Sequence, residues 1–351
     1  MRVPVAKNPI PLLDLSRLDA ADAVRHEFLA QLRTAARDVG FFYLTGHGVD
    51  PDLLRNLVHV ARRFFALPES DKLAIEMVNS PHFRGYNRVA RERTRGEPDW
   101  REQIDIGAER PALPRSPGLP PWTRLQGPNQ WPHALPELRP LVLLWQQAAI
   151  GVLARLLRAF ALALGQTEDA LLPLYGNEPH HLVKLIRYPG RDATESDQGV
   201  GAHKDAGLLT LLLQDHIGGL QVETARGWID VAPLPGTFVV NIGELLELAS
   251  DGYLRATLHR VVAPPAGIER VSVAFFLGAR LDETVPLLQL PATLAAQAHG
   301  PESDPNNPLF RSVGRNYLKG RLRSHPDVAR RHHADLIEPG APDSPSFRVR
   351  T

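Results

Sequence analysis

The chain has 351 residues, 43% of them hydrophobic, which is long and apolar enough for a sizeable core. Lys plus Arg number 40 and Asp plus Glu 39, a net charge of +1, so nothing in the balance calls for nucleic acid or an anionic membrane. Cysteine is absent, which excludes disulfides, thiolate metal ligands and a cysteine nucleophile together.

In chain order, Met1 to Pro9 carries charges without an apolar core of signal-peptide length, and a cytoplasmic location is the default expectation. Val24, Phe28, Leu32, Ala35 and Val39 recur at three- and four-residue spacing and predict an amphipathic helix over 21–39. Asp50-Pro51, a cap followed by a proline suited to the first helical position, starts a second helix through Phe65. From Pro111 to Pro136 there are 8 prolines in 26 residues, which forbid a long helix or a central strand. Trp122 and Trp131 give this stretch apolar anchors, so it reads as an ordered irregular excursion, expected with Phe83 to Arg88 to border the mouth of a pocket.

Leu141 to Leu164 reads as a long helix, interrupted by Arg155 and Arg158, ended by Gly165 and expected to back a sheet. Its uncharged run, Leu141 to Ala154, has 14 residues and falls short of a membrane span. Short β-rich runs follow at His181–Tyr188, Leu208–Leu213, Leu220–Glu223, Phe238–Ile242, Leu258–Val262 and Val271–Leu277. Many short strands in one half fit a double-sheet jelly roll, which holds its site in the barrel mouth. Leu309 to Arg331 looks helical, with its Arg and Lys residues as a solvated face, and no internal repeat is visible.

Within the β-rich half, His203 and Asp205 stand as His-X-Asp, and His259 follows after 53 intervening residues. On a strand, side chains at i and i+2 share a face, so His203 and Asp205 can converge while Lys204 points away. Two imidazoles and one carboxylate on one side of an ion leave three positions open, which suits a non-haem Fe(II) enzyme that binds a cosubstrate and O2. Zinc is the rival, because affinity order alone favours it over Fe(II). Arg270 and Ser272 form Arg-X-Ser eleven residues beyond His259. Arg270 offers a planar fork for a carboxylate, with the Ser272 hydroxyl on the same face. An isolated His-X-Asp is a weak signal; its conjunction with the distant His and Arg-X-Ser, each beside a strand-like run, carries the reading.

With these residues the chain resembles the Fe(II)- and 2-oxoglutarate-dependent oxygenases of the isopenicillin N synthase-like group. The resemblance includes Ile10-Pro11-Leu12-Leu13-Asp14-Leu15, Gly40-Phe41-Phe42-Tyr43-Leu44-Thr45-Gly46-His47-Gly48-Val49, Phe64-Phe65-Ala66-Leu67-Pro68, Phe83-Arg84-Gly85-Tyr86 and Asp99-Trp100-Arg101-Glu102-Gln103. It continues through Gly218-Gly219-Leu220-Gln221-Val222, Val239-Val240-Asn241-Ile242-Gly243 and Leu258-His259-Arg260-Val261. It implies an α+β fold with a double-stranded β-helix (jelly roll, cupin-like) core and flanking helices. The expected organisation is an N-terminal dioxygenase segment over 1–110, the Pro-rich excursion over 111–136, the backing helix over 137–170, the catalytic core over 171–290 and a helical extension over 291–351. The resemblance also implies Fe(II), held by His203, Asp205 and His259, with 2-oxoglutarate chelating the metal, its far carboxylate on Arg270 and Ser272, and O2 in the remaining position. Succinate and CO2 would be released as a C–H bond of a small molecule is oxidised, by hydroxylation, desaturation or cyclisation.

Tyr188 stands where many relatives use a Tyr to hydrogen-bond a bound carboxylate, or else it caps a strand; Asn241 either contacts the cosubstrate or satisfies backbone groups. Plant-type relatives place Asn where this chain has Ile186, and the run Leu185-Ile186-Arg187-Tyr188-Pro189 looks closer to isopenicillin N synthase itself. An oxidase of that type, which needs no 2-oxoglutarate and holds its substrate's carboxylate on Arg-X-Ser, is the alternative function. A non-catalytic binding module would require a lost ligand set, and all three ligands are present. Arg84, Tyr86, Arg88, Lys184 and Arg187 are the candidates for touching substrate, as cationic or aromatic groups near the expected pocket, with Glu92 a weaker one. His47, His180, His181 and His216 are expected to be structural. The partner is a small molecule, with no nucleic acid or membrane, and the oligomeric state is open.

Overall fold

The computed structural model describes residues 10–302, 304 and 307–337. The reading of Met1 to Pro9, and the end of the expected 291–351 extension, lie outside the described residues. The strands, in chain order, are β1 (Leu12–Asp14), β2 (Phe41–Thr45), β3 (Gly85–Asn87), β4 (Arg93–Thr94), β5 (Glu97–Pro98), β6 (Glu102–Gly107) and β7 (His181–Tyr188). They continue as β8 (Gln198–His203), β9 (Leu209–Gln214), β10 (Leu220–Thr224), β11 (Gly227–Asp230), β12 (Phe238–Ile242), β13 (His259–Val262) and β14 (Arg270–Leu277). An eight-stranded sheet runs β1-β2-β12-β9-β14-β7-β6-β3, and a four-stranded sheet runs β11-β10-β13-β8. This is the double-stranded β-helix, with the ribbon of β4 and β5 beside it.

Strand alternation divides the core in two. On β7, Val183 and Leu185 join the main core, while Ile186 and Tyr188 point into the barrel with Val200, Val222, Val239 and Val261. The main core is closed by the helix Leu138–Ala163, in which Trp145, Leu153 and Phe160 are fully buried. This helix packs on β14, β9 and the helices Asp22–Asp38 and Pro51–Phe65. It starts three residues earlier than the spacing predicts, because Pro140 in a first turn has no intrahelical donor bond to lose. Its length and composition would suit a membrane span, but here its apolar side lies against the sheet and the helices.

The expected helix over 309–331 is two helices, Val313–Ser324 and Pro326–His332. Proline disfavours the α conformation in the residue before it, and His325 is accordingly at φ −128°, ψ 72°. Nor is their basic face simply solvated: the first helix contributes Tyr317, Lys319, Arg321 and Arg323 to a cavity wall. Leu318, Leu322, Val328 and Leu336 pack with Met77, Phe83 and Leu125, so these helices are pinned to the N-terminal segment. The Pro-rich excursion is ordered, as expected; Trp122 packs on this cluster and Trp131 on the main core. It does not border the main cavity. Leu113, Leu119 and their neighbours line a separate recess of about 250 Å³.

Candidate active site

His203 ends β8 and His259 begins β13, and the two are directly paired across the small sheet. Their rings lie 4.2 Å apart between centroids. Asp205 lies just past the end of β8, so its approach depends on the turn after the strand as well as on pleat. Its Oδ1 is 3.5 Å from His203 Nε2 and 3.6 Å from His259 Nε2. One ligand atom from each residue lies within 4.8 Å of the others, a spacing that can hold one metal ion.

Each potential ligand is oriented by a second contact. His203 Nδ1 pairs with the Gly201 carbonyl at 2.8 Å and His259 Nδ1 with the Thr257 carbonyl at 3.1 Å. Both rings therefore present Nε2 to the shared space. The other oxygen of Asp205, Oδ2, accepts from Thr210 Oγ1 at 2.5 Å and from Asn241 Nδ2 at 2.7 Å. Burial works against ionising Asp205, but His259, His203 and the Asn241 amide hold its carboxyl well below the usual range. Burial, with the charge of His203, pushes His259 down to about 4, which keeps it a neutral donor. His203 moves up: Asp205's hydrogen bond and charge outweigh burial.

Arg270 and Ser272 are both inward on β14, as Arg-X-Ser on a strand requires. Arg270 is 0% exposed. It donates to Ser272 Oγ at 3.2 Å and Gln214 Oε1 at 2.9 Å, and its guanidinium lies 4.8 Å from the Tyr188 ring centroid. Its Nε–H has no hydrogen-bond partner, and among the described residues no carboxylate pairs with it. A buried, unpaired guanidinium is costly unless an anion arrives to meet it.

A cavity of about 530 Å³ opens at His203 and Asp205 and extends to the C-terminal helices. Of the five substrate candidates, the structure brings only Lys184 to it. Lys184 donates to Glu92 at 2.7 Å and so enters as half of a buried ion pair. Glu92 also receives Arg101 at 2.7 Å, and these cations hold it well ionised against burial. Arg187 is one residue out of phase with Lys184 and Tyr188, on the outer face, where it pairs with Glu102 and Glu269. Tyr86 donates to Glu102 in the core. Arg84 is buried against the carbonyls of His82 and Leu125, and Arg88 pairs with Glu76 at 2.7 Å. These four have protein partners in place of a ligand.

The Asn241 amide donates to Asp205 rather than to backbone, and so orients that carboxylate. Tyr188 lies over Arg270, inside the barrel. Among the four histidines expected to be structural, His180 does line the cavity, edge-on to Tyr317. His181 stacks on Phe275, His47 lies against Phe238, and His216 is exposed. Sequence reasoning missed Thr210, Gln214, Arg101, Glu244 and Tyr317. Inward parity with Asn241 and Arg270 could have found the first two; the others reach the site from turns and a distant helix, for which spacing offers no signal.

A jelly roll with two histidines and a carboxylate converging at its mouth is the framework of a mononuclear non-haem iron enzyme. The profile of the 2OG-Fe(II) oxygenase superfamily matches residues 179–279, and that of the N-terminal region of non-haem dioxygenases in morphine synthesis matches residues 10–134. A 2-oxoglutarate-dependent dioxygenase of Dothideomycetidae sp. (strain 11243) is 36% identical over 338 residues, 91% of this chain and 90% of the relative. A homoarginine-6-hydroxylase of Arabidopsis thaliana is 37% identical over 295 residues, 80% of this chain and 88% of the relative. Among solved structures, a full-length Neurospora crassa protein in complex with alpha-KG and 5-formyluracil aligns at TM-score 0.71 and 25% identity, covering 90% of this chain and 96% of that one.

The chain belongs to the Fe(II)- and 2-oxoglutarate-dependent oxygenases. It is an oxidoreductase that uses Fe(II), 2-oxoglutarate and O2 to oxidise a C–H bond of a small molecule, with release of succinate and CO2. Relatives dependent on 2-oxoglutarate favour this over an oxidase that does without it.

Proposed function

We propose that this enzyme is a small-molecule hydroxylase in which His203, Asp205 and His259 hold Fe(II) and Arg270 with Ser272 binds the far carboxylate of 2-oxoglutarate. The observation that carries the assignment is the fully buried Arg270, which has an unmet N–H and, among the described residues, no carboxylate partner, inside the barrel that bears the His-Asp-His set. The donor set alone would also accept zinc; an adjacent anion site supports the redox metal with its cosubstrate. When bound, iron, 2-oxoglutarate and O2 supply the oxidising power. The chain's residues do the rest: Gly201 and Thr257 carbonyls fix the two imidazoles, Thr210 and Asn241 fix Asp205, and the packed barrel limits water around Arg270. The homoarginine-6-hydroxylase among the relatives makes basic amino acids the first substrates to try.

The test is an anaerobic titration of the metal-free enzyme with Fe(II) and then 2-oxoglutarate. A weak visible charge-transfer band should appear with both and be lost in Asp205→Ala, and slow succinate formation should follow on adding O2. A band that persists in Asp205→Ala, or 2-oxoglutarate turnover that is insensitive to Fe(II), would overturn the assignment.

A further inference from the structure

Resting on that reading of the cavity, we propose that Glu244 recognises a cationic group of the substrate, an ammonium or a guanidinium, beside the carbon that is oxidised. Glu244 opens the short helix Glu244–Ala249, and its backbone N–H donates to the Asp205 carbonyl at 2.7 Å. That bond ties it to the turn that carries the iron-facing carboxylate. Its side chain lines the cavity. Among the described residues Glu244 accepts no side-chain hydrogen bond and has no cation at ion-pair distance, which separates it from the other acids nearby. Glu92 is occupied by Lys184 and Arg101.

The two lysines that share the cavity with Glu244 act on its charge through space, but their direct contacts lie elsewhere. Lys204 pairs with Glu247 at 3.3 Å and Glu302 at 2.8 Å. Lys319 donates to the Pro308 carbonyl at 2.5 Å and lies 5.2 Å from the Phe310 ring centroid. A carboxylate taken partly out of water without a cation in direct contact raises the free energy of the empty site, and an arriving cation lowers that penalty where a neutral ligand cannot. The helix Val313–Ser324 contains Arg315, Lys319, Arg321 and Arg323 and no acid, and three of these line the same cavity. The cavity thus offers a negative group tied to the turn of the metal set, while the cations facing it, Lys319, Arg321 and Arg323, already have protein partners. A lone negative group of this kind suits the cationic end of an amino acid with a basic side chain.

The experiment uses the enzyme loaded with Fe(II) and 2-oxoglutarate and four probes: L-homoarginine and L-lysine, with L-homocitrulline and L-norleucine as neutral counterparts. Succinate formation is read with O2, and probe binding is read anaerobically by calorimetry. At least one cationic probe should bind and raise succinate formation roughly tenfold or more over the probe-free rate, while its neutral counterpart does not; which one succeeds distinguishes guanidinium from ammonium. Glu244→Gln should then raise the KM of that probe by about 10- to 150-fold, the loss expected for a hydrogen bond between charged groups, with Glu244→Asp intermediate. The Fe(II)–2-oxoglutarate band reports that each variant's site is still assembled. Neutral probes that work as well as cationic ones, a cationic pair that neither binds nor stimulates, or an unchanged KM in Glu244→Gln would overturn the proposal while the band persists. Loss of the band in the unmodified enzyme would overturn the underlying reading as well.

Discussion

At the scale of single residues, the site is a set of groups each held by a second one. Arg270 is the clearest case, because the protein buries its charge and among the described residues gives it no acid. Arg270→Leu should raise the apparent KM for 2-oxoglutarate by about 10- to 150-fold, the loss of a charge-assisted contact, with far less effect on Fe(II) affinity. Unchanged 2-oxoglutarate dependence with weakened binding of the primary substrate would instead place the substrate's own carboxylate there. Asn241 acts through Asp205. With one of two donors to Oδ2 removed, Asn241→Ala should weaken Fe(II) binding by about 10- to 100-fold, measured by metal titration, while 2-oxoglutarate still binds the metal-loaded form. A direct cosubstrate contact would show the reverse order of effects.

Among the elements, close backbone approach decides how the turn after β8 is placed. Gly243, between β12 and the helix Glu244–Ala249, donates its N–H to the Leu208 carbonyl. A Cβ at this position would lie 2.2 Å from the Gly207 carbonyl oxygen and 3.2 Å from that of Asp205. Since both are backbone atoms, Gly243→Ala has to shift the Asp205 turn. It should lower stability by about 1–3 kcal/mol, seen in denaturant unfolding, and weaken Fe(II) binding in parallel. A variant stable as the parent would show that the turn yields freely. The same scale explains the substrate candidates: β7 alternates, so Lys184 faces inward and Arg187 outward, although both look alike as cations near the ligands.

The whole molecule separates support from chemistry. The eight-stranded sheet has one face on the barrel interior and the other on the helices, so the packing that stabilises the fold lies largely behind the site. Trp145, fully buried on the backing helix, belongs to the second face. Trp145→Ala should cost about 3–5 kcal/mol of stability while leaving the KM for 2-oxoglutarate near that of the parent at a temperature where the variant is folded. A large KM change with little loss of stability would mean that the two layers are coupled. The C-terminal helices play a different part: they pack on the N-terminal segment through Leu318, Leu322 and Val328, and so complete the cavity wall from the far end of the sequence.

The sequence by itself determined three of the strands that carry the site, because apolar residues at every second position, facing the helices, leave few alternatives for β7, β12 and β14. It also determined the backing helix, and the convergence of His203, Asp205, His259, Arg270 and Ser272 was legible from spacing together with family resemblance. The strands β3, β6 and β8 escaped the pattern: Gly85–Asn87 and Glu102–Gly107 bury polar residues such as Asn87, Glu102, Gln103 and Asp105, which alternation reads as exposed, and Gln198–His203 carries two glycines. Only the tertiary structure decided the partners of the charged groups. Arg84, Arg88, Lys184 and Arg187 are equivalent cations in a sequence, and what separates them is which carboxylate or carbonyl the fold carries to each. Glu244 is the converse case, an ordinary acid in the sequence that among the described residues has no cation at ion-pair distance. Pairing of this kind is mostly a long-range property: Arg84 meets Leu125, Lys184 meets Glu92 and Arg187 meets Glu102 across 41, 92 and 85 residues, and local periodicity carries no information about them.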